Sequence, residues 1–188
     1  VKNADDLKMQ ETVYVGNKKL IGEVISNVDG EVTVQVYEST TGLKIGEPIE
    51  RTGKPMSVTL APGIIGNIFD GIERPLKALE AISTPYIETG CDVEKVDTKK
   101  KYAVTVTVSE GEQISRGQIY ATCRETSRIE YRAPSTCSGT VIFAAKNGEF
   151  TISDTLIKVQ TEQGTVEELS LTQEWPIRVP RPVAERLP

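Results

Sequence analysis

The chemistry open to this chain is bounded first by a missing residue type, because its 188 residues include no histidine. Ser-His-Asp and Cys-His nucleophile systems are therefore excluded, since no imidazole can take the nucleophile's proton. The three cysteines, Cys91, Cys123 and Cys137, stand far apart, with no partner two residues away. Zinc needs deprotonated S or N ligands clustered at short spacing, so this set does not read as a metal site. A disulfide between two of them stays open, although no secretory leader is evident and three buried or half-buried thiols fit a reducing compartment better. The 27 Asp and Glu residues contain no pair singled out by spacing as a general acid and base. The nearest approach to a phosphate-binding loop is Arg51-Thr-Gly-Lys-Pro. In the pattern G-x-x-x-x-G-K-[ST], Pro48 stands where the first glycine belongs and Pro55 where the Mg²⁺-binding hydroxyl belongs. Gly53 and Pro55 are read instead as a turn.

Composition narrows the classes further. A net charge of −5 and a pI near 5.0 oppose nucleic-acid binding, which relies on a basic face that releases counterions. Hydrophobic residues at 38% and charged residues at 26% describe a chain with a packed core. No apolar run approaches the roughly 18–20 residues that a membrane-spanning helix needs.

The elements that would position any site are mostly strands. Glu23-Val-Ile-Ser-Asn-Val and Glu31-Val-Thr-Val-Gln-Val flank Asp29-Gly30, a dipeptide suited to the positive φ angles of a two-residue type I′ turn. Val32, Val34 and Val36 share one face, Thr33 and Gln35 the other, which marks a half-buried strand. Short segments punctuated by glycine and proline continue through Met56, Val58 and Leu60, giving the rhythm of a small antiparallel barrel. Pro62-Gly-Ile-Ile-Gly-Asn-Ile-Phe-Asp-Gly-Ile then breaks the alternation. Pro75 with Leu76, Leu79 and Ile82 predicts one short helix. Residues 83–86 and the polar run 92–101 read as a connector, with Lys99, Lys100 and Lys101 as a solvated loop.

A second β module opens at Tyr102, where Tyr102, Val104, Val106 and Val108 alternate with polar or small residues. A hairpin over residues 140–153, turning on Asn147-Gly148, is expected. Gly111-Glu-Gln-Ile-Ser with Ile119 echoes Gly148-Glu-Phe-Thr-Ile-Ser with Leu156, which predicts two similar half-sheets wrapped face to face. That plan is also the plan of lipoyl and biotinyl carrier domains. Their cofactor lysine would fall near Glu125-Thr-Ser-Arg, yet no lysine occurs between Lys101 and Lys146. Trp175, the only tryptophan, opens a segment with four prolines in fourteen residues, read as an extended linker with Trp175 as its anchor.

Taken together, several segments resemble the catalytic A subunit of the vacuolar and archaeal type of rotary ATPase. They are Leu20-Ile-Gly-Glu-Val-Ile, Thr33-Val-Gln-Val-Tyr-Glu-Ser-Thr-Thr-Gly-Leu, Gly46-Glu-Pro-Ile-Glu-Arg-Thr-Gly, Pro62-Gly-Ile-Ile-Gly-Asn-Ile-Phe-Asp-Gly-Ile, Arg74-Pro-Leu, Glu162-Gln-Gly and Trp175-Pro-Ile-Arg-Val-Pro-Arg-Pro. The resemblance covers most of the chain. It implies a mainly β fold: a small N-terminal β barrel over residues 1–70 lacking its first strand, then a loop, short helix and connector over 71–101. An inserted barrel-sandwich-like β module over 102–174 and a proline-rich linker over 175–188 follow. By the same resemblance the chain is an expressed fragment that stops before the nucleotide-binding domain, so it holds no catalytic, cofactor or metal residues, and ATP and Mg²⁺ belong to the parent protein. That parent couples ATP hydrolysis or synthesis to H⁺ or Na⁺ movement. The implied partners are neighbouring B subunits of a hexameric head and peripheral-stalk subunits, at the cytoplasmic face of a membrane contacted only indirectly. Gly63, Gly66, Phe69, Asp70, Gly71, Arg74 and Pro75 become junction or support positions. An independent β binding or adaptor module, or a carrier-like domain without its lysine, is the alternative.

Overall fold

A computed structural model of the chain describes residues 1, 6–82, 87–91 and 93–181. Parts of the expected connector (83–86 and 92) and the end of the expected linker (182–188) lie outside the described residues. The fold is mainly β and divides into two compact units. One comprises residues 1–58, 68–93 and 175–179, the other 59–67, 94–174 and 180–188.

The first unit is built on β1 (Glu11–Val15), β2 (Leu20–Val28), β3 (Glu31–Val36) and β4 (Ile49–Pro55), an antiparallel sheet in the order β3-β2-β1-β4. The expected β2–β3 hairpin is present. Asp29 and Gly30 have φ of 51° and 76°, as a type I′ turn demands, and Val28 pairs with Glu31 across it. Val13, Val15, Leu20, Val24 and Val32 are buried with Leu7 on one face, and Val34, Val36 and Ile49 pack against them. The strand alternation predicted from Val32, Val34 and Val36 is thus the one observed. Val1 exchanges two backbone hydrogen bonds with Val32, at 2.7 and 2.8 Å, on the outer edge of β3. Gly53 and Pro55 do not make the expected turn. They lie within β4, where Gly53 (φ 70°) sits in a bulge whose register shifts opposite Glu11 and Val13.

β5 (Ser57–Leu60) leads out of this unit, and α1 (Leu76–Ile82) begins directly after Pro75. The helix forms where predicted, but of Leu76, Leu79 and Ile82 only Leu79 is buried. Six residues advance the helix by about 600°, so Leu76 and Ile82 point about 120° apart and flank the stripe at whose centre Leu79 is buried.

The second unit carries β6 (Tyr102–Val106), β7 (Gln113–Ile114), β8 (Ile119–Arg124), β9 (Glu130–Pro134), β10 (Gly139–Ala144), β11 (Gly148–Phe150), β12 (Ile157–Thr161) and β13 (Val166–Leu169). β14 (Gln173–Pro176) follows and pairs with β5. The two larger sheets have the orders β11-β6-β8-β9 and β13-β12-β10-β7. Each half of the module lends its short second strand to the other half: β7 pairs with β10, and β11 with β6. This exchange gives the weak internal repeat its structural meaning. Its core gathers Tyr102, Val104, Ile114, Tyr120, Val141, Ile152, Leu156, Ile157 and Val159 from both sheets.

The expected hairpin over residues 140–153 is not formed. β10 and β11 belong to different sheets, and neither Asn147 nor Gly148 has a positive φ. Asn147 accepts the Val106 N–H on its side-chain oxygen at 2.9 Å, and Gly148 pairs with Val104. The Asn-Gly pair therefore delivers the chain to the opposite sheet instead of folding it back. Lys99, Lys100 and Lys101 are exposed, as a solvated loop should be. No helix among the described residues is long and apolar enough to cross a membrane.

Candidate functional site

The seven expected junction residues divide between the two units. Gly63 and Gly66 belong to the second, while Phe69, Asp70, Gly71, Arg74 and Pro75 belong to the first.

In the first unit, residues 68–76 fold into a tight loop. Phe69 and Pro75 form an isolated bridge, Leu76 N–H donates to Ile68 O at 2.9 Å, and Asp70 N–H donates to Arg74 O at 3.0 Å. The loop is organised by the Asp70 carboxylate, which accepts from the backbone N–H of Ile72 (3.1 Å) and Arg74 (2.8 Å) and from Arg74 Nε (2.8 Å). Gly71 needs no special backbone angle here. The positive φ falls instead on Glu73, at 65°. Arg74 Nη1 reaches Glu38 Oε1 at 2.9 Å and the Cys91 carbonyl at 3.3 Å. Glu38 Oε1 also accepts from Gly90 N–H at 3.1 Å. Three charged side chains, 7–17% exposed, thus hold three stretches of chain around one guanidinium. Burial pushes the Asp70 carboxyl up, but the hydrogen bonds from Arg74 and Ile72 together bring it below the usual carboxylate value.

In the second unit, the segment holding Gly63 and Gly66 is clasped by side chains of the β sandwich. Tyr102 donates its hydroxyl to Pro62 O at 3.1 Å. Glu125 Oε1 accepts from Gly63 N–H (2.8 Å) and Ile65 N–H (3.0 Å). Gly63 has φ of 103°, and a Cβ there would stand 2.8 Å from the Tyr102 hydroxyl, so this position requires glycine twice over. Glu125 opens the turn between β8 and β9, the place where a carrier domain would present its lysine. Here that turn contributes a carboxylate to the module's own framework.

Both clusters are taken up with internal hydrogen bonds. The carboxylates of Asp70, Glu38 and Glu125 are held by internal donors, and the three thiols are free of disulfides. Burial lifts the Cys123 thiol to about 11, far from a reactive thiolate, and lifts Cys137 in the same direction. Among the described residues no cluster of three His, Cys, Asp or Glu side chains could hold a metal ion. The geometry does one thing well, which is to fix loops against sheets. Sequence reasoning did not find Glu38, Glu125 or the paired Glu23 and Arg178. Their partners lie 36, 62 and 155 residues away, so no local spacing marks them.

Residues 1–53 match the ATP synthase alpha/beta family, beta-barrel domain, and residues 93–178 match the ATPsynthase alpha/beta subunit barrel-sandwich domain. The chain is 44% identical to a V-type ATP synthase alpha chain 2 of Clostridium tetani, over 96% of its own length and 31% of that protein. It is 43% identical to the A subunit of an A-type ATP synthase from Methanopyrus kandleri, over 96% and 31% respectively. It is 42% identical to the catalytic A subunit of a V-type proton ATPase from Neurospora crassa, over 95% and 30%. The chain thus spans a little under a third of the length of these relatives. With both domain matches in sequence order and these identities sustained along nearly the whole chain, this protein belongs to the ATP synthase alpha/beta family, in the branch of the V-type alpha and A-type A chains.

Proposed function

We propose that this chain is the N-terminal, non-catalytic part of the catalytic chain of a rotary ATPase, and that its work is assembly. The observation that carries the proposal is the 42–44% identity over 95–96% of the chain, collinear with about the first third of proteins named as ATP synthase or proton ATPase chains. In this reading the parent protein hydrolyses or makes ATP, with Mg²⁺, and couples that reaction to H⁺ or Na⁺ movement. Residues 1–70 supply barrel contacts to neighbouring B subunits of a hexameric head. Residues 71–101 connect to the inserted module of residues 102–174, which meets peripheral-stalk subunits, and residues 175–188 lead to the nucleotide-binding domain. The whole is peripheral to the cytoplasmic face of a membrane.

The cluster of Asp70, Arg74 and Glu38 supports this role, because it spends three buried charges on holding loops and leaves none for a substrate. Gly63, Gly66, Phe69, Gly71 and Pro75 belong to the same framework as junction or support positions. Reading the gene beyond the codon for Pro188 tests the proposal. A G-x-x-x-x-G-K-[ST] motif within roughly 50 codons is expected, and its absence would overturn the assignment.

A further inference from the structure

Glu23 occupies an unusual position for a carboxylate. Along β2, Leu20, Gly22 and Val24 turn toward the core, so Glu23 projects from the opposite face of the sheet. Its cross-strand neighbours there are Thr12 on β1 and Gln35 on β3, both polar. Such a face is ordinarily wet, yet Glu23 is only 1% exposed, and the Thr12 hydroxyl is buried without a hydrogen-bond partner. What covers this face includes the short segment 175–179, which returns to the first unit after the long excursion of the chain through the second.

That segment begins in β14, whose pairing with β5 holds Trp175 and Pro176, and past it the side chain of Arg178 converges on one carboxylate. Arg178 binds Glu23 in a two-pronged fork, Nε to Oε1 at 2.8 Å and Nη2 to Oε2 at 2.7 Å. Tyr37 donates its hydroxyl to Oε2 at 2.5 Å. Ile177 N–H donates to Met56 O at 3.0 Å, and Trp175 Nε1 donates to Val179 O at 2.7 Å, closing the segment on itself. Tyr37 and Arg178 are the ionisable groups in contact with Glu23. Arg178 itself is half exposed, at 52%, so the lock is reachable from solvent on its cationic side.

We propose that residues 177–179, beyond the β14–β5 pairing, form a strap locked onto the polar face of the first unit's sheet by the fork between Arg178 and Glu23, and that the strap opens as a unit without unfolding the sheet beneath. The physical ground is the division of labour. The sheet is held by its ladder and by the apolar core on its other face, whereas the strap, past the end of β14, is held by a fork whose carboxylate is buried and whose guanidinium is half exposed, and which loses its value when either partner is removed. A device of this kind fixes the path of the chain where it leaves the sheet, and can release that path while both units stay folded.

Amide hydrogen exchange on the 188-residue chain tests this, with tryptophan fluorescence as a second readout because Trp175 is the only tryptophan and its indole N–H is bonded to Val179 on the strap. In R178Q, exchange at Ile177 should accelerate at least about tenfold and the emission of Trp175 should shift to the red, while amides of β1 and β2 keep their protection. E23Q should do the same from the buried side, and R178K, which keeps charge but loses the fork, should fall between. The double variant E23Q/R178Q removes the unpaired buried charge yet still lacks the lock, so its strap should remain open even where stability recovers. Unchanged exchange at Ile177 in R178Q would overturn the proposal, because the strap would then be held by other contacts. Equal acceleration at Ile177 and in β1 and β2 would overturn it too, since strap and sheet would then be one cooperative unit.

Discussion

Replacing Arg74 by methionine keeps much of the stem volume and removes the charge, and the structure lets the cost be worked out. The guanidinium makes three side-chain hydrogen bonds, to Asp70, Glu38 and the Cys91 carbonyl. Without it, Glu38 is left 7% exposed with the Gly90 N–H, and Asp70 is left 17% exposed with two backbone amides. Breaking a buried ion pair from one side costs about 3–5 kcal/mol. The amide donors that remain argue for the lower end, about 3 kcal/mol. At about 1.4 kcal/mol per factor of ten, protected amides of β1 and β2 should exchange roughly 100-fold faster in R74M. Amides of β8 and β12, in the other unit, serve as the internal control. Lowering the pH should shrink the defect, because the Arg74 bonds help hold the Asp70 carboxyl below its ordinary value and protonation relieves that carboxylate once they are gone. R74K should recover only part of the loss, since one ammonium cannot reproduce the fork. Acceleration below about fivefold in R74M would refute the reasoning, as it would place the cluster's worth in the range of an exposed pair.

Three further outcomes follow from the same framework. Glu11, nearly buried at the start of β1, is held to a pKa of about 2 by its bonds from Arg51, which outweigh burial, with the amides of Lys8 and Gly53 adding to them. Its unfolded value is 4.5, so between these limits the unfolded chain takes up a proton that the folded one refuses. Stability should therefore be fully present above about pH 5 and decline as pH falls toward 2. The same acid titration of E11Q should be less steep over that window. In the second unit, G63A must strain a backbone at φ of 103° and displace the Tyr102 hydroxyl, which should cost about 2–3 kcal/mol in urea unfolding followed by circular dichroism. E125A should free the Ile65 amide to exchange, while E125Q, which keeps an acceptor oxygen, should protect most of it.

Much of the fold could be read from local pattern. Asp29-Gly30 between two alternating runs specified its hairpin because a type I′ turn and a half-buried strand each leave a signature within a few residues. Pro75 marked the start of α1 for the same reason. The failures share a cause as well. Asn147-Gly148 carries the same local preference as Asp29-Gly30, but exchange of short strands between half-sheets sends β11 to pair with β6, overriding the turn. Gly53 looked like a turn residue because a bulge and a turn ask for the same positive φ. The charge clusters were invisible to spacing. Glu23 interrupts a strand as an ordinary outward-facing residue would, and only the return of Arg178 from 155 positions away explains its burial.

If this chain supplies framework and assembly surfaces while nucleotide chemistry belongs elsewhere in the parent protein, the 188 residues by themselves should have no nucleotide site. Calorimetric titration of the chain with Mg²⁺-ATP tests this most directly. No saturable binding is expected up to millimolar nucleotide, whereas binding in the micromolar range with defined stoichiometry would contradict the claim.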